Sequence, residues 1–89
     1  MTVEETVALA EARVRAADGE LVAIRRRARL SQEAIARAVG VSRVTVLRWE
    51  NGERAPSGEP AVRLAKLLRE LEAVESRSRP RRLSARLSA

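Results

Sequence analysis

Arg43, Val44, Leu47 and Arg48 lie close together in Arg43-Val44-Thr45-Val46-Leu47-Arg48-Trp49-Glu50, and their chemistry is that of recognition rather than bond-making. A guanidinium is a rigid fork of donors that fits two acceptors on one planar edge, such as O6 and N7 of guanine. An aliphatic side chain suits a methyl group, such as that of thymine. Comparable material for catalysis is missing. Histidine and cysteine are absent, which removes the commonest general base, the thiolate nucleophile, the usual zinc ligands and any disulfide. Asp18 is the only aspartate, so no spaced cluster is present for a hard cation. A glycine-rich phosphate cradle and a nucleophile–base pair are also lacking. An enzyme has no support, and no metal or cofactor is expected.

Charge points the same way. The formal net charge is +6. Residues 76–89 hold five arginines (Arg77, Arg79, Arg81, Arg82 and Arg86) and no acid, leaving 13 basic and 12 acidic groups on the first 75 residues. A basic tail on a nearly neutral body suggests a polyanionic partner; the bland alternative is a solvated tail. Arginine outnumbers lysine 17 to 1, which fits the coding bias of a GC-rich bacterium or its phage. No apolar run of transmembrane length occurs, and Met1-Thr2-Val3-Glu4-Glu5 has no secretory apolar region, so no membrane is expected.

Helices must position these groups, since no strand pattern and no internal repeat is found. Thr2-Val3-Glu4-Glu5 reads as a capping box that opens a helix from Thr2 to Ala17, with apolar residues at Val3, Val7, Ala10, Val14 and Ala17. Asp18-Gly19 breaks the pattern before a second helix from Glu20 to Ala28; one helix running through to residue 28 is the alternative. Ser31 caps a helix from Gln32 to Val39, which Gly40 stops. Ser42 caps another from Arg43 to Glu50, which ends at Asn51-Gly52. Pro60 fits the first turn of a last helix, whose apolar face includes Leu64, Leu67, Leu68, Leu71 and Val74. Beyond Ser76, serine, arginine and proline predict disorder. The expected fold is an all-α compact bundle of about five helices with a disordered basic C-terminal tail. Its parts are an N-terminal accessory helix (1–18), a helix-turn-helix domain (19–75) and an Arg/Ser-rich tail (76–89).

The stretch from Gln32 to Gly52 carries the function. Two short helices meet at a three-residue turn, with Ala36 small enough for their backbones to approach and Gly40 able to take positive φ. Ile35, Val39, Val41, Val46 and Trp49 point inward. Trp49, three residues after Val46, is a core anchor rather than a stacking group. With Ile24-Arg25, Leu30-Ser31-Gln32, Ile35-Ala36, Val39-Gly40-Val41-Ser42, Val46, Trp49-Glu50-Asn51-Gly52, Pro56 and Leu64-Ala65 at their spacings, the chain resembles the phage-repressor-like (Cro/cI, XRE) helix-turn-helix family from about Leu21 to Leu71. Two features depart from that family. Arg29 stands where it commonly has glycine, and its fifth helix is not evident after Leu71.

The resemblance implies an all-helical protein that binds operator DNA, usually as a dimer, with the helix at 43–50 in the major groove. Arg43, Val44, Leu47 and Arg48 are then the base-contacting residues. The alternatives are phosphate contact for the arginines and packing against a partner for Leu47. Gln32, Ser42, Thr45 and Asn51 are the expected phosphate contacts, joined by tail residues Arg77, Arg79, Arg81 and Arg82. Ser42 has capping, Thr45 plain helix surface and Asn51 helix termination as the alternative role. By the same resemblance Arg25 and Glu50 pair structurally. The expected function is sequence-specific double-stranded DNA binding by a transcriptional regulator, a repressor of bacterial or phage origin, in the cytoplasm at the nucleoid. The competing function is an antitoxin that regulates itself through the same motif and binds a toxin protein with its tail. An architectural DNA-bending protein would need an apolar wedge, which is not seen. A pure protein-interaction module would leave the basic face unexplained. The apolar stripe on the first helix has no assigned partner within the core; the last helix of the same chain or a second subunit could cover it, the latter giving a homodimer.

Overall fold

The computed structural model describes the backbone of residues 1–88 and the side chains of residues 1–77. Five helices follow in order: α1 (Val3–Ala17), α2 (Glu20–Arg27), α3 (Gln32–Val39), α4 (Arg43–Glu50) and α5 (Gly58–Ser88), with no strand among the described residues. Of the tail expected to be disordered (76–89), Ser76 and Arg77 continue α5, and residues 78–89 lie outside those whose side chains are described.

Local chemistry sets the helix starts. The Glu5 N–H donates to Thr2 Oγ1 at 3.0 Å while the Thr2 N–H donates to Glu5 Oε1 at 2.9 Å, closing the capping box of α1. These hydrogen bonds hold the Glu5 carboxyl below the usual carboxylate range. Ser31 accepts from the Ala34 N–H at 3.0 Å, and Ser42 from the Thr45 N–H at 3.2 Å. The chain breaks at Asp18-Gly19, so α1 and α2 are separate helices.

The end of α2 explains the departure at residue 29. The Arg29 N–H donates to the Arg26 carbonyl at 3.0 Å and the Leu30 N–H to the Arg25 carbonyl at 3.1 Å, the paired bonds of a Schellman stop. That motif puts its C′ residue in the left-handed region, and Arg29 has φ 59°. It is the only non-glycine residue with positive φ among those described.

The core is aliphatic apart from Trp49. Leu21, Ile24, Ile35, Val39, Val46 and Trp49 are buried from α2, α3 and α4; α5 packs on α2 and α3 with Ala61, Leu64, Ala65 and Leu68, while α4 rests on α3 and α1. The stripe of Val3, Val7, Ala10, Val14 and Ala17 is left exposed. Instead α1 turns its opposite side inward and buries Ala8, Ala12 and Ala16. Residues four apart lie on one face of a helix, and alanine lets α1 and α5 approach closely. Ion pairs fix the orientation: Arg69–Glu11 at 2.7 Å and Arg15–Glu72 at 2.7 Å join the two helices. The Arg69 guanidinium holds the Glu11 carboxyl below the usual carboxylate range by hydrogen bonding and by charge. Partly exposed pairs of this kind contribute about 0–1 kcal/mol each, so burial carries the stability and the pairs set direction. Among the described residues, no helix is long and apolar enough to cross a membrane.

Candidate nucleic-acid interface

The two helices α3 and α4 meet through Gly40-Val41-Ser42. The N–H groups of Gly40 and Val41 both donate to the Ala36 carbonyl, at 2.8 and 3.0 Å. Gly40 takes φ 85°, and a Cβ there would also come within 3.0 Å of Arg63 Nη1. Arg63 in turn donates to the Val39 carbonyl at 3.3 Å, tying the turn to α5. Ala36 is buried between the helices, so the two elements hold a fixed angle.

The fixed angle decides which face of α4 is free. Val46 and Trp49 are buried, whereas Arg43 and Arg48 are exposed, Val44 is 45% exposed and Leu47 is half-buried. All four expected base-contacting residues therefore reach the surface on one short helix. The Arg48 side chain makes no hydrogen bond or ion pair among the described residues.

A network of side chains locks α2 to both helices. Arg25 donates to Glu50 through Nε at 2.6 Å and through Nη2 at 3.1 Å, and its Nη1 donates to the Leu30 carbonyl at 3.1 Å. The Glu50 side chain is only 5% exposed, so it needs this compensation. Gln32 Nε2 donates to Glu50 Oε1 at 2.9 Å, and Gln32 Oε1 accepts from Arg43 Nη1 at 3.2 Å. The structure thus brings Arg25, Glu50, Gln32 and Arg43 together in one chain of hydrogen bonds. An amide nitrogen has two hydrogens, so Gln32 keeps one to donate outward.

Ser42 and Thr45 sit together, their hydroxyls 3.0 Å apart, with Ser42 also capping α4. Asn51 is exposed at the end of α4. Arg77 is exposed on α5, away from this cluster in sequence, and Arg79, Arg81 and Arg82 lie outside the residues whose side chains are described. Two arginines unmarked in the sequence join the surroundings. Arg54 is exposed and lines a shallow cleft with Val41, Thr45, Trp49, Ser57 and Pro60, beside α4. Its signal is a basic residue two positions after the Asn51-Gly52 stop. Arg13 of α1 donates to the Pro56 carbonyl at 2.9 Å and so holds the loop that follows α4; no local pattern marks it. Among the described residues, no group of acidic side chains is placed to hold a metal ion.

A sequence model of the helix-turn-helix family, of the Cro/C1 type, matches residues 21–74. The match takes in α2, α3, α4 and the first half of α5 and leaves α1 outside. No curated protein and no solved structure matches the chain.

Proposed function

Because the chain belongs to the helix-turn-helix family, whose members bind DNA and regulate transcription, we propose that it is a sequence-specific repressor of bacterial or phage origin that reads the major groove of double-stranded DNA with α4. The observation that carries this is the one-sided exposure of α4: Val46 and Trp49 anchor it while Arg43, Val44, Leu47 and Arg48 face outward. Arg43 and Arg48 bond base edges bidentately, and Val44 and Leu47 contact thymine methyls. The outward hydrogen of Gln32, the hydroxyls of Ser42 and Thr45, and Asn51 bond phosphates, which sets the register of α4 on the duplex. Arg77, Arg79, Arg81 and Arg82 add sequence-independent attraction to the backbone. Two copies act together, their recognition helices about 34 Å apart on successive turns of one groove. Such a protein works in the cytoplasm, at the nucleoid.

Selection of bound sites from a random duplex pool tests this directly. The expected product is a palindrome whose half-sites repeat about one turn apart. A pool that shows no enrichment above the input would overturn sequence-specific binding.

A further inference from the structure

Along α1, Val3, Val7, Ala10, Val14 and Ala17 recur at spacings of four, three, four and three. That is the alternation of a and d positions in a heptad, which keeps one seam facing a partner helix. The seam is free in the monomer: Val3, Val7 and Val14 are 77%, 53% and 56% exposed. The chain's own α5 is already spent on the opposite, alanine face of α1. The residues beside the seam are sorted by charge. One flank carries Glu4, Glu11 and Asp18; the other carries Thr6 and Arg13.

This sorting selects both an occupant and an orientation. Two such helices side by side and parallel set the acidic flank of each against the Thr/Arg flank of the other, and bring Arg13 to the partner's Asp18. An antiparallel pair would set acid against acid. Glu11 is already held by Arg69 at 2.7 Å, so Arg13 and Asp18 decide the matter. Arg13 uses only its Nε on the Pro56 carbonyl, at 2.9 Å, which leaves its terminal amines to donate elsewhere. Asp18 is exposed and makes no side-chain hydrogen bond among the described residues. Valine at the a positions, Val7 and Val14, suits a two-stranded pairing.

We propose that α1 pairs in parallel and in register with α1 of a second copy through this seam. It deepens the dimeric part of the proposed function by naming the surface. Two heptads make a weak interface, which paired half-sites on one duplex would reinforce by raising the effective concentration.

The test runs on the full chain without DNA, so its failure leaves base reading to be judged separately. Sedimentation equilibrium should show a monomer–dimer equilibrium. Val7→Glu with Val14→Glu should weaken it at least tenfold, and Asp18→Lys, which faces the partner's Arg13, should weaken it several-fold. The chain has no cysteine, so single-cysteine variants report register. Parallel pairing puts Val7 against the partner's Val7, and Val7→Cys should form a disulfide-linked dimer at least tenfold faster than Ala38→Cys, an exposed control on α3. These side chains are exposed, and circular dichroism should confirm that each variant keeps its helices. A chain that stays monomeric at hundred-micromolar concentration overturns the proposal. So does a dimer that the double Glu variant leaves intact, strengthening by Asp18→Lys, or cross-linking of Val7→Cys no faster than the control.

Discussion

Replacing Arg29 by glycine should make the domain more stable. Arg29 occupies the left-handed position of the α2 stop with φ 59°, and a residue with a Cβ pays about 1–2 kcal/mol for that conformation. Glycine adopts it freely but has more freedom to lose from the unfolded chain, about 0.5–1 kcal/mol. The side chain makes no hydrogen bond or ion pair among the described residues whose loss would enter the balance. It does line a surface groove with Ile24, Ala28, Leu71 and Val74, so a little stem packing is lost. The expected net gain is about 0.5–1 kcal/mol, which for a domain of this size raises Tm by about 2–8 °C. Urea unfolding followed by circular dichroism measures it, with Arg29→Ala as the control that removes stem and charge but keeps the strained backbone. The reasoning is refuted if Arg29→Gly gains nothing over Arg29→Ala.

Other perturbations separate structural roles from recognition. Arg25→Ala leaves the 5%-exposed Glu50 carboxylate with Gln32 as its only side-chain donor among the described residues, and should cost about 3–5 kcal/mol in chemical denaturation. Arg43→Ala or Arg48→Ala should cost about 1–3 kcal/mol of binding and relax preference at one base pair each, as read from competition among variant operators; equal weakening on all sequences would assign that arginine to a phosphate. Alanine at Arg79, Arg81 and Arg82 together should leave the preferred site unchanged and flatten the salt dependence of binding by about 0.9 for each phosphate no longer neutralised. Glu11 ionises more readily in the folded chain than in the unfolded one. Its share of stability is therefore present above the ordinary carboxylate range and is lost as pH falls through its lowered folded pKa. Glu11→Gln should flatten that part of the acid-unfolding curve.

The helix starts are legible in the sequence because their hydrogen bonds are local. Thr2 with Glu5, Ser31 with Ala34 and Ser42 with Thr45 each span three residues, and a motif of four letters contains the whole interaction. The three-residue turn is legible for the same reason, Gly40 and Ala36 being its geometric requirements. The inward face of α1 is not. Hydrophobicity favours the valine stripe, whereas the structure buries alanines, because the nearness of α5 rewards a thin side chain there. The pairs that fix this choice, Arg69 with Glu11 and Arg15 with Glu72, lie 58 and 57 residues apart. No local pattern encodes them. The hydrogen bonds of Gln32 are equally hidden, since they depend on where α3 sets it against Glu50 and Arg43.

That distance along the chain also orders events in time. During synthesis α1 emerges well before α5, which covers its alanine face. At roughly 5–20 residues per second, the 55 residues from Ala17 to Glu72 take about 3–11 s to add, and through that interval α1 lacks the surface it packs on. A helix of 15 residues is marginal by itself in water, so α1 must fray and re-form repeatedly on the nascent chain. The hydrophobic faces of α2 and α3 wait on the same late arrival, because Ala61, Leu64, Ala65 and Leu68 complete their burial. α5 thus acts as a clasp on α1, α2 and α3, and a ribosome that stalls before Leu68 would leave their apolar faces uncovered.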